Sequence, residues 1–357
     1  MRIISIIALF TALAVGHSNA LLSQEETKTI DQLYQDAVKE GGNLVFYHGG
    51  DTPTQQDALK ASFNAAFPKI NLTLIVDYSK YHDVRIDNQL ETNSLVPDVV
   101  ALQTLQDFPR WKNEGKLLHY RPANFSQIHE GFKDSNGAWF AYVIYAFTYG
   151  SNTTTLGSLA APATPLDLTD PKYKGLIASS YPHDDDAVLF LFTKYVEKYG
   201  WEWAAKFATQ DVSFNRGSNV AGDLVAAGKK AISVGGGDDV GPAIAGNYPF
   251  LAWGQRVAIL KKAKNVAAAK LLVNWLASEE TQKMNGYLGW TVRKDIPLTN
   301  GQTKPAWDIP QANVAEFAKF MEDRERVEMW KQTFALYFGE VQGPPSPGFL
   351  GLYPGRS

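Results

Sequence analysis

The sequence predicts an α/β protein made of two Rossmann-like lobes that are joined by a two-strand hinge. Strand-like and helix-like segments alternate between residues 43 and 102, and the same alternation resumes between residues 155 and 240. Two long runs at 139–150 and 248–260, rich in aromatic and β-branched residues, have the composition of strands that cross between the lobes. This alternation implies a mostly parallel sheet that is covered by helices.

The first lobe shows the order helix, strand, helix, strand, helix, strand before the first crossing. These segments are predicted at 29–40, 43–47, 54–67, 71–76, 84–93 and 97–102. The first helix carries apolar residues at helical spacing, and the glycine pair at 41–42 ends it. Each strand is a short apolar run that leads into a polar loop, as at 48–54 and 78–83.

The second half of the chain continues in the same way. Its remaining predicted elements are a strand at 176–178, a helix after residue 186, a helix at 219–228, a strand at 230–234, and helices at 265–284 and 312–338. We therefore assign 21–147 and 249–340 to lobe 1 and 148–248 to lobe 2. The Pro- and Gly-rich tail at 341–357 is expected to be irregular.

Residues 1–20 have the composition of a signal peptide, with a basic start, an apolar run at 3–15 and a small-residue cleavage site. We therefore expect a secreted, extracellular protein, which would be periplasmic in a bacterium. No later segment reaches the roughly 18 apolar residues that a membrane-spanning helix needs. In a secreted protein of a eukaryote, three Asn-x-Ser/Thr sites are glycosylation candidates. They are Asn71, Asn124 and Asn152.

Composition excludes several classes of function. The formal net charge is −3 and no basic block occurs, so nucleic acid is not an expected partner. The chain contains 0 Cys, which excludes thiol catalysis and cysteine-based metal sites. A chain of this length fills two cores without disulfides, and we expect a monomer.

The junction at 181–187 concentrates charge where a strand gives way to a helix. Asp184, Asp185 and Asp186 follow one another there. Ligands of α/β proteins bind in the crevice at such strand ends, but Asp is also a preferred residue for capping a helix N-terminus. Under either interpretation the carboxylates fill a helix N-terminus that would otherwise attract an anion. The junction therefore favours a cationic, metal or neutral polar ligand.

Other candidates lie in loops at the facing edges of the two lobes or on the crossing strand. The predicted ligand-binding residues are His48, Gly49, Asp51, Ser79, His82, Gln103, Trp139, Tyr181, Asp184, Asp185, Arg216 and Asp238. Imidazole and carboxylate groups also suit metal ions, so a bound metal ion stays open, with His183, Asp186 and Asp239 as candidates. For every candidate a structural role stays the alternative, such as ending a turn, pairing with an opposite charge or packing in the hinge.

Several segments together resemble a known family. They lie at 48–51, 79–83, 167–175, 181–186, 267–283 and 289–293. The chain resembles extracellular solute-binding proteins of the type II periplasmic-binding-protein fold. The nearest branch contains the ferric-iron, thiamine and aminoethylphosphonate ABC-transporter binding proteins, including secreted fungal members. The resemblance implies that a small ligand is trapped between two lobes by hinge closure, with an ABC permease as partner if the host is bacterial.

One departure from that branch affects the ligand. Its iron-binding members carry an adjacent Tyr-Tyr pair after a glycine-rich strand end, whereas this chain reads Gly-Gly-Gly-Asp-Asp-Val at 235–240. A tyrosinate iron site is therefore not expected. Two alternatives to a binding protein remain: a metal-dependent secreted hydrolase that uses the Asp/His cluster, and a secreted interaction protein that has lost its ligand. No nucleophile elbow, zinc signature or P-loop supports the hydrolase.

Overall fold

The computed structural model describes residues 24–285 and 288–343. The predicted signal peptide at 1–20 lies outside the described residues, as does the tail beyond residue 343. Within the described ranges, no helix combines the length and the apolar character that crossing a membrane requires.

The described residues form one eight-stranded sheet with helices around it. The strands are β1 (Asn43–Gly49), β2 (Asn71–Asp77), β3 (Val99–Leu102), β4 (Phe140–Ser151), β5 (Ile177–Ser180), β6 (Ser213–Asn215), β7 (Ile232–Gly236) and β8 (Leu251–Ile259). The helices are α1 (Ile30–Glu40), α2 (Asp57–Ala66), α3 (Ser79–Glu91), α4 (Asp107–Asn113), α5 (Thr153–Leu156), α6 (Asp186–Tyr199), α7 (Trp201–Ala208), α8 (Asn219–Ala226), α9 (Gly241–Ala245), α10 (Val266–Ala277), α11 (Glu279–Asn285), α12 (Val314–Glu322) and α13 (Arg324–Phe338).

The sheet has the order β2-β1-β3-β8-β4-β7-β5-β6. Its two ends are parallel, since β1 pairs with β2 and β3, and β5 pairs with β6 and β7, all in parallel. The centre is antiparallel, because the crossing strands β4 and β8 run in opposite directions and each also pairs antiparallel with a strand of one end. The two-lobe α/β prediction is confirmed, while the expectation of a mostly parallel sheet holds only toward the two ends.

Each half of the sheet is covered by helices with large buried side chains. On one side α1 packs against α10, and Phe63 and Phe67 contact the ring of Trp275. On the other side the rings of Trp203 and Phe207 stack at 5.1 Å beneath α6. The C-terminal helices α12 and α13 pack on α6, and α13 also packs on α7. Helix α12 also contacts the crossing strand β8.

Three of the predicted helices differ clearly from the observed ones. Helix α3 begins at Ser79 instead of residue 84, because its N-cap, Tyr78, makes no side-chain cap that the sequence would reveal. The Asp77 carboxylate accepts from the Tyr78 N–H instead. The helices predicted at 265–284 and 312–338 are each divided in two, at Ser278 and Asp323. Both residues accept a hydrogen bond from a backbone N–H three residues on, as N-caps do.

Candidate functional site

A cavity lies between the two halves of the sheet at the ends of their strands. It has a volume of about 170 Å³. Its walls come from the segment after β1, the start of α3, the segment after β3, the N-terminus of α6, the segment before α8, and the crossing strands. The lining residues are Gly49, Gly50, Asp51, Gln55, Gln56, Tyr78, Ser79, Lys80, Gln103, Thr104, Tyr145, Phe147, Asp184, Asp185, Asp186, Gly217, Ser218, Asn219, Gly237, Trp253 and Gln255.

Two of the four carboxylates in the wall are neutralised by cations. Lys80 donates to the Asp184 carboxylate at 2.6 Å and to the Asp184 carbonyl oxygen at 2.7 Å. Asp186 forms ion pairs with Lys331 at 2.8 Å and with Arg324 at 3.3 Å. Burial alone would raise the pKa of Asp186, but these two cations hold it below its usual value. Neither Asp184 nor Asp186 therefore leaves an uncompensated charge in the cavity.

Asp185 and Asp51 form no ion pair in the described part of the chain. Asp185 caps helix α6, where its Oδ1 accepts from the Ala187 and Val188 N–H groups at 2.8 and 3.0 Å. Burial raises the pKa of Asp185 to about 7, and the charge of Asp51 adds to the rise. Burial likewise raises the pKa of Asp51, and Asp184 adds to it. Each of these two carboxylates disfavours ionisation of the other.

Aromatic rings form another part of the wall. The Trp253 ring lies 5.6 Å from the ring of Tyr145 and 4.8 Å from that of Phe147. The indole N–H of Trp253 donates to Gln255 Oε1 at 3.1 Å, which fixes the indole's orientation. Tyr78 lines the cavity as well. Carboxylates and aromatic faces are the two kinds of protein group that attract an organic cation.

The two halves of the protein touch around the cavity. Lys80, at the start of α3, pairs with Asp184, which precedes α6. Asp51, which follows β1, accepts from the Ser218 and Asn219 N–H groups at the start of α8. Gly49 permits close packing within the first half, since a Cβ on it would lie 2.1 Å from Ser79 Oγ. These contacts join the two halves of the protein beside the cavity.

The sequence pattern of the family described as "Bacterial extracellular solute-binding protein" matches residues 49–283, about two thirds of the chain. The chain belongs to this family. A relative described only as an uncharacterized protein of Haemophilus influenzae is 26% identical over 247 residues, which cover 62% of this chain and 71% of the relative.

Solved structures of periplasmic binding proteins share the fold of this solute-binding protein. The substrate-binding protein of an ABC transporter from Agrobacterium tumefaciens matches with a TM-score of 0.69 at 14% identity, covering 84% of this chain and 96% of its own. AfuA from Actinobacillus pleuropneumoniae, with fructose-6-phosphate bound, matches with a TM-score of 0.61 at 20% identity, covering 84% of this chain and 99% of its own. Iron-bound HitA from Pseudomonas aeruginosa matches with a TM-score of 0.61 at 16% identity, covering 82% of this chain and 99% of its own. Identities this low show the fold alone.

Half of the ligand-binding residues predicted for this solute-binding protein lie in the cavity wall. They are Gly49, Asp51, Ser79, Gln103, Asp184 and Asp185. Ser79 and Gln103 also bond to each other, since the Gln103 N–H donates to Ser79 Oγ at 3.0 Å. Asp185 caps α6, as one interpretation of the acidic junction expects, and it also lines the cavity; its contact with a ligand stays a prediction.

Two predicted histidines lie behind the wall. His48 is fully buried within β1, and its ring nitrogens bond to the Gly49 carbonyl oxygen and the Tyr142 hydroxyl. Burial lowers the pKa of His48 to about 4. His82 is on the buried face of α3, 4.6 Å from the Tyr47 ring between ring centroids, and burial lowers its pKa to about 3. Both rings are therefore neutral parts of the core near neutral pH.

Four other predicted ligand-binding residues have contacts elsewhere. The Trp139 ring is covered by the Arg256 guanidinium at 3.9 Å, and Tyr181 stacks on Phe214. Arg216 lies 3.8 Å from the Asp184 carboxylate, behind the wall. The Asp238 carboxylate accepts from the Ser233 hydroxyl, and burial raises its pKa to about 6. Each side chain performs a structural role that was left open for it as the alternative.

The three metal candidates do not converge. His183 bonds to the Gly339 carbonyl oxygen at 2.8 Å, and Asp239 caps the Gly241 N–H at 2.8 Å. Asp186 is occupied by Lys331 and Arg324, as described above. Across residues 24–285 and 288–343, no group of three or more His, Asp and Glu side chains is placed to hold a metal ion.

Several residues of the wall were not among the predicted ones. Lys80 lies inside the 79–83 segment, but a lysine in a loop gives no signal that it will pair across a cleft. Tyr145 and Phe147 are on the same face of β4 as expected from strand alternation. A register shift between Ala141 and Val143 separates them from Trp139. A prediction that counts alternating positions straight through this irregularity would place Tyr145 and Phe147 on the same face as Trp139.

The three glycosylation candidates differ in accessibility. Asn71 and Asn124 are exposed. Asn152 caps α5 by accepting from the Thr155 N–H at 3.1 Å, and its amide donates to the Val225 carbonyl oxygen at 3.2 Å. In a glycosylating host we expect glycans at Asn71 and Asn124 and none at Asn152. Peptide mass spectrometry after enzymatic deglycosylation would test this, and an occupied Asn152 in folded, secreted protein would contradict it.

Proposed function

We propose that this solute-binding protein binds a small organic cation and closes its two lobes over it. The observation that carries the proposal is the pair of carboxylates, Asp51 and Asp185, in a wall that also contains aromatic rings. Neither carboxylate is paired with a cation in the described residues, and the pKa of each is raised. A cation between them would relieve their mutual repulsion and favour the ionised form of each.

The expected energies are sufficient for specific binding. Two opposite unit charges 4 Å apart attract by about 4 kcal/mol at the effective dielectric constant near a protein surface. An aromatic face adds roughly 0.5–2 kcal/mol for a desolvated cation. Because each tenfold change in affinity corresponds to about 1.4 kcal/mol, part of the charge attraction is enough for a tenfold preference for a cation over its neutral analogue.

The size of the cavity limits the solute. A cavity of about 150 Å³ in another protein takes up benzene, so the cavity here, about 170 Å³, fits a single substituted ring or a molecule of that size. The polar groups at Gln55, Gln103 and Gln255 would bond to the solute's own polar substituents. The range of possible solutes therefore narrows from a cation, a metal ion or a neutral polar molecule to an organic cation.

A ferric ion is a less suitable solute, although it appears in the names of structural neighbours. The described part of the chain offers no cluster of three His, Asp or Glu side chains for a metal. Burial raises the pKa values of Tyr78 and Tyr145, which favours neutral phenols over phenolate ligands. We also propose that the protein performs no chemistry, because the hydrolase alternative needs histidines that here lie behind the cavity wall.

The lobe boundaries are part of the proposal. Lobe 1 would comprise 21–147 and the chain from residue 249, and lobe 2 would comprise 148–248. The contacts of α12 and α13 with α6 favour one change to these boundaries, namely that residues 314–338 belong to lobe 2. In a bacterium the partner would be an ABC permease and the location the periplasm, whereas in a eukaryote the protein would be secreted.

A series of ring compounds that differ in charge tests the function. Benzylammonium, benzyl alcohol and benzoate have the same ring and carry a positive, no and a negative charge. We expect titration calorimetry to show binding in that order, with the cation at least about tenfold tighter than the alcohol. Scattering should show no larger radius of gyration with the cation than without it. Equal binding of the cation and the alcohol would contradict the proposal.

Cation binding should depend on pH in a defined direction. Burial places the pKa of Asp185 at about 7 in the ligand-free protein. A bound cation favours the ionised carboxylate, so affinity should rise as pH increases through about 7, and binding below that pH should release protons. Calorimetry in buffers of different ionisation enthalpy measures the protons released. Affinity that falls with rising pH would contradict this assignment.

A further inference from the structure

Helix α8 has its N-terminus capped by a residue from the other lobe. Its own N-cap, Ser218, makes no side-chain cap. Instead the Asp51 carboxylate accepts from the Ser218 N–H at 2.6 Å, the Ser218 hydroxyl at 2.8 Å and the Asn219 N–H at 3.0 Å. All three bonds go to one oxygen, Oδ2. A residue that follows β1 thereby supplies the negative charge that the start of α8 attracts.

The surrounding backbone is shaped for this contact. Gly217 has a positive φ of 75°, and a Cβ on it would lie 2.9 Å from the Asp51 carboxyl carbon. On the other side, the Asp51 N–H donates to Gln55 Oε1, which ties the backbone of Asp51 to the segment before α2. The carboxylate is therefore held from both lobes, and an added side chain at residue 217 would displace it.

We infer that Asp51 determines the charge specificity of the cleft by acting as a built-in anion. Two backbone N–H groups and a hydroxyl converging on one oxygen are the donors that an anionic solute would use. As Asp51 already occupies them in the closed cleft, an anionic solute finds no donors there. Closure itself then needs no anionic group on the solute. The inference concerns exclusion of anions and does not depend on which cation is bound.

The consequence is that removing the carboxylate should open a site for a free anion. Formate has the size and charge of the group that Asp51→Ala deletes. It would meet no more repulsion from Asp184 and Asp185 than Asp51 itself meets, because it would occupy the same position. In the Asp51→Asn variant the amide fills that space, so formate should find no room.

The test is thermal unfolding against formate concentration, with chloride at equal ionic strength as the reference. We expect a saturable rise on the order of 2 °C for Asp51→Ala and no rise for the wild type or for Asp51→Asn. Adding Ser218→Ala to Asp51→Ala should weaken the effect, since one donor is lost. Asp51→Ser leaves similar room and serves the same test if the alanine variant does not fold.

Two results would overturn the inference. One is an equal response to formate in the wild type and in Asp51→Ala, which would indicate a general salt effect. The other is no response in either Asp51→Ala or Asp51→Ser. Benzylammonium binding to the wild type is measured separately, so failure of this inference and failure of the proposed cation site are distinguishable.

Discussion

Replacing Asp185 with asparagine should weaken binding of benzylammonium by about 10- to 100-fold, equivalent to about 1.4–2.7 kcal/mol. The substitution removes one of the two carboxylates in the cavity wall that have no cationic partner among the described residues. Asparagine is nearly as good an N-cap as aspartate, so helix α6 should keep its start. Affinity measured by calorimetry should therefore fall without a comparable fall in thermal stability.

The matched control is Asp239→Asn. Asp239 is exposed, does not line the cavity and also caps a backbone N–H, so the variant loses the same charge and keeps a similar turn. We expect its affinity for benzylammonium to stay within about twofold of the wild type. If the two variants lose affinity equally, the overall charge of the protein, and not the cavity, attracts the cation.

Replacing Arg85 with alanine should lower the free energy of unfolding by about 3–5 kcal/mol. Arg85 forms an ion pair with Asp77 at 2.5 Å, with side-chain exposures of 7% and 0%. Removal of the guanidinium would leave the Asp77 carboxylate buried without its cation at the start of α3. Because α3 carries Lys80 and begins directly after Tyr78, the affinity for the solute should fall as well. Denaturant unfolding measures the loss.

A surface ion pair provides the comparison. Lys206 pairs with Glu202 at 2.8 Å on α7, where both side chains are more than half exposed. Solvent screens such pairs, so Lys206→Ala should change stability little. A loss for Arg85→Ala no larger than that for Lys206→Ala would show that the Asp77–Arg85 pair does not hold the start of α3.

The architecture could be predicted because it depends on local patterns. Alternating apolar runs and helical spacing identified the strands β1, β2 and β3 and the crossing strands β4 and β8 to within a few residues. Among the helix boundaries that were missed, the start of α3 has no capping side chain that the sequence would reveal. The position of the acidic junction could be predicted too. The end of a strand and the cap of the next helix are both local features, and each can be recognised from a few neighbouring residues.

Pairing between distant residues could not be predicted. Asp184 and Asp186 look equivalent to Asp185 in the sequence, but Lys80, Lys331 and Arg324 neutralise the first two through the tertiary fold. The histidines were misplaced for a similar reason. His48 follows an apolar run, a position where the sequence predicts a loop. In the structure β1 continues through Gly49, so the His48 ring lies inside the core. Burial, which decides charge and availability, is a property of the whole fold.

Native mass spectrometry of the protein purified from its own host tests the central claim most directly. The mass difference between the native complex and the denatured chain, together with elemental analysis, identifies a co-purified solute. We expect a bound organic molecule of about the size of one substituted ring that carries a positive charge. A stoichiometric metal ion, or an anionic solute such as an organic phosphate, would contradict the account.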